Sequence, residues 1–213
     1  MLKKITGAAI ALSIALHAQP ATAVDFSANI GFASEYIYRG IPQKSSSASG
    51  GLDLAAGGFY LGAWGADVGD GIEIDYYGGY GLEVGEFNFS VGGTLYTYTG
   101  DFDDTYKEIN LGAGWRFLSF DAAIGEYDNF AGPTLQYQFY SLTATYNGLY
   151  GKVGMFEDDF DGNYYEAGYS NTLSVKDTDL FDYAFALVYS DSTLLGGESD
   201  TNLTLTLTKA FSF

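Results

Sequence analysis

The chain has 213 residues, 29 glycines, 19 tyrosines, one histidine and no cysteine, and its 9 basic residues against 27 acidic ones give a formal net charge of −18. Without cysteine there is no disulfide framework, thiolate metal site or cysteine nucleophile. The acidic excess excludes a nucleic-acid binder, which needs a cationic surface to displace counterions. An aromatic content of 17% and a mean hydropathy near zero exclude a disordered chain.

Residues 1–23 read as a secretory signal peptide. Lys3 and Lys4 form its positive start, Ile5 to Leu16 an apolar run too short to span a bilayer, and Ala21-Thr22-Ala23 a small-residue cleavage site. Cleavage is expected between Ala23 and Val24. Residues 24–213 then keep seven basic residues against 27 acidic ones, a net charge of −20, and no histidine. The usual general base and the commonest metal ligand are both missing from that segment. No catalytic residue, cofactor site or metal site is assigned.

After Val24 the pattern is alternation with period two, the mark of half-buried strands. Ile72-Glu73-Ile74-Asp75-Tyr76-Tyr77 alternates apolar with acidic residues, and Asn202-Leu203-Thr204-Leu205-Thr206-Leu207-Thr208 alternates apolar with hydroxyl side chains. Twelve strands are predicted, near 26–39, 49–57, 58–67, 72–83, 86–98, 107–116, 118–126, 134–146, 149–156, 164–174, 181–190 and 201–213. The connections alternate in length. Tight turns fall at Gly57-Gly58, Val84-Gly85-Glu86, Phe117-Leu118, Asn147-Gly148 and Lys176 to Asp179. Longer polar loops fall at 40–48, 67–71, 99–106, 127–133, 157–163 and 191–200. Asn-Gly tolerates positive φ at both residues and so signals a hairpin. Hairpin units of 35, 30 and 28 residues separate Glu73, Glu108, Gln138 and Glu166, each of which begins a strand.

A soluble sandwich would also alternate, with its apolar side inward. Three features favour a membrane barrel, in which the apolar side faces lipid. The strand number is even, and short turns alternate with long loops. Aromatic residues stand near strand ends, where interfacial girdles lie: Tyr36, Tyr38, Tyr96, Tyr98, Trp115, Phe117, Tyr150, Tyr164 and Tyr165. The chain closes an alternating strand on Phe213, the residue expected to act as signal to a bacterial barrel-assembly machinery.

The segment Ser34-Glu35-Tyr36-Ile37-Tyr38-Arg39-Gly40-Ile41-Pro42-Gln43 resembles the opening strand of the TorF family of proteobacterial outer-membrane porins. Gly58-Phe59-Tyr60-Leu61-Gly62-Ala63-Trp64-Gly65 and Ile72-Glu73-Ile74-Asp75-Tyr76-Tyr77-Gly78-Gly79-Tyr80 are similar to that family's next block. The sequence departs from the family at Pro42, usually Ser, and at Tyr76, often Leu. The resemblance implies a small porin whose solute is unassigned.

The reading is therefore an all-β, 12-stranded antiparallel up-and-down transmembrane barrel over 24–213, in a bacterial outer membrane, with periplasmic termini and acidic loops outside. Alternation turns Glu35, Arg39, Glu73, Asp75, Glu108, Asn110, Arg116, Asp121, Gln138, Lys152, Glu166 and Asp182 toward the lumen as pore-lining residues. Seven acids against three bases bias a water path toward cations. Bases gathered against acids would instead plug it. The expected function is passive diffusion of small hydrophilic solutes or cations. The alternative is a closed interaction barrel whose acidic loops bind divalent cations, lipopolysaccharide or a partner. In the loop Glu157-Asp158-Asp159-Phe160-Asp161-Gly162, acids stand at positions 1, 3 and 5 of a calcium-loop pattern, but its twelfth position is Gly168 rather than a bidentate Glu.

Overall fold

The computed structural model describes residues 24–213; the expected signal peptide and Ala23 lie outside the described residues. Twelve strands follow one another: β1 (Asp25–Tyr38), β2 (Ile41–Ala56), β3 (Phe59–Asp67), β4 (Ile72–Val84), β5 (Phe87–Tyr98), β6 (Tyr106–Trp115), β7 (Leu118–Tyr127), β8 (Leu135–Tyr146), β9 (Leu149–Asp158), β10 (Gly162–Val175), β11 (Thr178–Ser190) and β12 (Asp200–Ser212). Each pairs antiparallel with its neighbour in sequence, and β12 pairs with β1 to close the barrel. The closing register sets Gly31 opposite Thr208 and Ala33 opposite Thr206. Closure leaves no unpaired sheet edge. The last residue joins the seam, where Phe213 N–H donates to Phe26 O at 3.1 Å and the two rings lie 5.4 Å apart.

The sheet is apolar on the outside. Ile30 and Phe32 of β1, Leu52 of β2, Leu61 of β3, Val91 of β5, Ile109 of β6, Ile124 of β7, Phe185 of β11 and Leu203 of β12 are all exposed. A soluble monomer does not present apolar side chains on every strand around its circumference. The lumen face carries the polar partners in register: Glu73 opposite Tyr98, Asp75 opposite Tyr96, and Thr94 opposite Glu108.

Two loop expectations are corrected. Residues 41–48 belong to β2, which at 16 residues is the longest strand. It joins β1 through Arg39-Gly40 alone, both left-handed (φ 48° and 82°) as a tight hairpin turn requires. The polar run Lys44-Ser45-Ser46-Ser47 imitates a loop, but a polar run can remain strand on a surface that does not face lipid. The expected loop 157–163 shrinks to 159–161, between β9 and β10.

The hairpin of β1 and β2 also bends. Ser46 is left-handed (φ 60°), and the pairing shifts by one residue between Tyr36 and Ile37. Bulges of this kind increase local twist and re-aim the chain. Here they carry the hairpin tip into the barrel mouth. The Ser190 hydroxyl of β11 donates to Gly40 O at 2.5 Å, and a Cβ at Gly40 would lie 2.5 Å from Tyr164 Cβ of β10.

The aromatic girdle is corrected as well. Trp115, Phe117 and Tyr165 are exposed, but Tyr36, Tyr77, Tyr96, Tyr137 and Tyr164 are buried among lumen side chains. The register supplies the reason. Tyr77 lies directly opposite Gly62, Tyr60 opposite Gly79, Tyr137 opposite Gly125, and Tyr150 and Tyr164 opposite Gly168 and Gly154. Each ring lies across the bare backbone of its partner, so a Cβ at Gly168, for example, would stand 2.6 Å from the Tyr150 ring. Glycine thus makes room for tyrosine in cross-strand pairs within the lumen.

Candidate functional site

The lumen is crossed by one ion pair. Arg39, at the inward tip between β1 and β2, makes two parallel bonds to Glu108 on β6, Nη1 to Oε1 at 2.5 Å and Nη2 to Oε2 at 2.9 Å. Four strands lie between β1 and β6 the shorter way round the barrel, so this fork spans the interior. The guanidinium also lies 4.2 Å above the Phe139 ring of β8 and 4.9 Å from the Tyr38 ring. The Glu108 side chain is fully buried. It further accepts bonds from Tyr137 (2.7 Å), Asn110 (2.8 Å) and Tyr96 (3.1 Å). A buried carboxylate is tolerable when its lone pairs are filled by charged and neutral donors together.

The other lumen carboxylates are met mainly by tyrosines and hydroxyls. Tyr36 donates to Glu73, Tyr77 to Asp53, Tyr150 to Glu166 at 2.5 Å, and Thr172 to Asp182 at 2.5 Å. Asp121 accepts from Ser141 at 3.4 Å. Asp75 is 4% exposed, and its Oδ1 has no hydrogen-bond partner. Phenol hydroxyls satisfy carboxylate oxygens by donation and bring no positive charge to the lumen.

Register and burial place the sequence-derived lining set as follows. Glu73, Asp75, Glu108, Asn110, Asp121, Lys152, Glu166 and Asp182 share the lumen face, and Arg39 reaches it from the turn. Two residues do not join them. Gln138 stands on the outer face of β8, where Tyr140 donates to its Oε1 at 2.5 Å, because Tyr137 and Phe139 take the inner positions. Arg116 lies in the β6–β7 turn in the left-handed conformation (φ 55°), paired with Glu86 at 2.8 Å in solvent. Glu35, beside the bulged segment, borders a lumen cavity under the hairpin tip and accepts from the exposed Ser45 hydroxyl at 2.8 and 2.9 Å. Alternation fails at Gln138 and Arg116 for a local reason: an aromatic lumen face and a turn. Sequence reading missed Asp53, Lys44, which pairs with Asp67, and the lumen tyrosines.

The acidic loops at the rim are built rather than loosely solvated. Asp103 accepts from Tyr127 at 2.7 Å and Tyr106 at 2.9 Å, and Asp104 from Phe130 N–H at 2.6 Å. Asp191 opens the β11–β12 loop. Desolvation pushes its carboxyl up, but the N–H groups of Leu194 (2.8 Å) and Asn163 (2.9 Å) and the Asn163 amide outweigh this and hold it below the ordinary carboxylate range. In the loop read as calcium-like, Asp159 and Asp161 bond Gln136 N–H and Gly162 N–H. Among the described residues, no three acidic side chains converge as a metal ion would require.

The geometry defines a class: a closed antiparallel barrel, apolar outside, charged and tyrosine-filled within. Residues 17–146 match the family described as "Bacterial protein of unknown function (Gcw_chp)", and the chain belongs to that family. No curated protein matches. Among solved structures, one from a study titled "Unveiling the Mechanism Behind the in-meso Crystallization of Membrane Proteins" matches with a TM-score of 0.55 at 9% identity, over 89% of this chain and 84% of that one. That likeness is one of fold. OccK1 (OpdK) of Pseudomonas aeruginosa matches at a TM-score of 0.41 and 15% identity, over 82% of this chain and 59% of its own. The outer membrane protein OprD of the same organism matches at 0.42 and 14%, over 89% and 65%. The chain spans less than two thirds of either Pseudomonas protein.

Proposed function

We propose that the protein is a narrow outer-membrane channel for passive diffusion of small hydrophilic solutes, with a preference for cations. The observation that carries this reading is the inversion of the fold: a continuous apolar exterior around a charged interior, the arrangement a barrel adopts when lipid is outside and water inside. Eight strands leave room only for side chains and about 16–18 give a wide aqueous pore. Twelve suit a restricted path, and the bridge from Arg39 to Glu108 lies across it. Glu73, Asp75, Glu166 and Asp182 outnumber Lys152 on the remaining wall, which favours cations. The resemblance of the Arg39-Gly40 hairpin segment to TorF-family porins agrees with this assignment. Export through the signal peptide, folding by the barrel-assembly machinery through Phe213, and packing against lipid and lipopolysaccharide complete the proposal.

A second reading has its own observation. The inward hairpin tip narrows the lumen, as it would in a closed barrel that works through its acidic rim loops. Single-channel conductance in a planar bilayer under a salt gradient separates the two. Discrete steps with cation preference, weakened by Glu73→Gln and Asp75→Asn, support the channel. A barrel that inserts, shifts its gel migration on heating and stays silent refutes it.

A further inference from the structure

Beside the Arg39 bridge lies a lumen cavity of about 60 Å³, bordered by Glu35 and Arg39 of the β1–β2 hairpin, roofed by its tip and walled by β9 to β12. Its two long walls differ in chemistry. One presents Lys152 of β9 and Glu166 of β10, which are direct register partners. The other presents the small or apolar Ala184, Ala186 and Val188 of β11, with the hydroxyls of Thr204 and Thr206 from β12.

Lys152 and Glu166 make no direct ion pair. Among the described residues the ion pairs are those of Arg39, Lys44, Lys107 and Arg116; Lys152 forms none. Its ammonium lies 6.0 Å from the Tyr164 ring centroid instead. Tyr150 occupies one oxygen of Glu166, Oε1, at 2.5 Å and leaves Oε2 without a protein donor. Two opposite charges side by side on one wall, each with bonding capacity left, would be satisfied by direct pairing in a purely structural role. Arg39 and Glu108 a few residues away do pair. Held apart, the two charges instead match a body that carries both signs at short separation.

We infer that this cavity is a solute site for compact zwitterions, with Lys152 receiving the carboxylate and Glu166 Oε2 the ammonium. The small side chains of β11 leave room only for a short carbon skeleton, and the threonine hydroxyls supply further polar contacts. The inference rests on the reading of the lumen as a path for small solutes and names one class of solute for it.

The test uses the refolded full barrel in detergent micelles and titration calorimetry with L-alanine, acetate and methylammonium. Saturable alanine binding, roughly tenfold tighter than either single-charge control, is expected, because losing one charge-assisted contact costs about that factor. Lys152→Met and Glu166→Gln should each bring alanine down to the controls, and Lys152→Arg should retain binding. Heat-shifted gel migration establishes that each variant is folded. Alanine binding no tighter than acetate by the wild-type barrel overturns the site, whatever the variants do. The channel reading fails separately: a barrel that conducts without binding alanine loses only this site, and one that binds alanine without conducting loses only the channel.

Discussion

The bridge across the lumen makes the sharpest test of this account. Arg39→Met keeps the aliphatic stem and removes the guanidinium, so Glu108 remains fully buried without its only cationic partner. Removing one member of a buried ion pair costs about 3–5 kcal/mol, chiefly the penalty of the charge left behind. Three neutral donors stay on Glu108, from Tyr137, Asn110 and Tyr96, and they offset part of that penalty. Loss of the contact at 4.2 Å with the Phe139 ring adds to it, by about 1 kcal/mol. The net expectation is about 2–4 kcal/mol of barrel stability. Replacing both members, Arg39→Met with Glu108→Gln, removes the uncompensated charge while the amide oxygen still accepts from the neighbouring donors, and should recover most of the loss. The four proteins form a double-mutant cycle with a coupling of about 2 kcal/mol or more. Urea unfolding in lipid vesicles, followed by tryptophan fluorescence, measures it. In the channel reading Arg39→Met also raises unitary conductance, because the tip loses its anchor across the lumen. A single variant less than about 1 kcal/mol below wild type, or a double variant no more stable than the single, would refute the assignment of the pair as a cross-lumen anchor.

Other perturbations test neighbouring parts of the structure. Gly40→Val places a branched side chain against Tyr164 at a left-handed position; it should push the tip out of the lumen and increase conductance without unfolding the barrel. Gly125→Val drives a side chain into the Tyr137 ring and should lower urea stability by about 1–3 kcal/mol through overpacking, whereas the same change at Gly151, where a Cβ meets nothing within 4 Å, should be nearly neutral. The Asp191 carboxyl is held below its ordinary range in the folded loop, so its contribution is present above that range and is lost as pH falls through the depressed folded value. The protection factors of the Leu194 and Asn163 amides, corrected for the intrinsic exchange rate at each pH, should accordingly fall in acid, and Asp191→Asn should reproduce that loss at neutral pH.

The outer face of the barrel was legible in the sequence because lipid-facing strands impose one chemistry over their whole length. Leu203, Leu205 and Leu207 announce their side, and the threonines between them announce the other. The number and order of strands followed, with boundaries good to a few residues except at 40–48, where a serine-rich strand passed for a loop. The inner face was less legible. Lining residues on β4 and β6 could be read because acids alternate there with isoleucine and leucine. On β8 the pattern is reversed, with the aromatic Tyr137 and Phe139 inward and the polar Gln138 outward, so polarity alone points Gln138 to the wrong side. The tyrosines of β1 and β5 looked like an interfacial girdle, since a tyrosine pattern is the same whether the hydroxyl seeks headgroups or a carboxylate. Only the partner decides, and the partner is set by register.

Arg39 shows where local pattern stops being enough. The Tyr-Arg-Gly turn is visible in one dimension, and so is Glu108 at a strand start. Their meeting depends on two bulge-like irregularities that bend a hairpin longer than its neighbours. It also depends on Gly40 and Ser190, 150 residues apart, closing on each other. No local periodicity links Gly40 to Ser190, and Ser46 carries no turn signal beyond its serine neighbours. The same bend that joins Arg39 to Glu108 roofs the cavity over Lys152 and Glu166. The bend thus places both the bridge across the lumen and the roof of the space beside it, so mutations at the tip should alter passage and solute binding together, while mutations at Lys152 alter binding with the bridge intact.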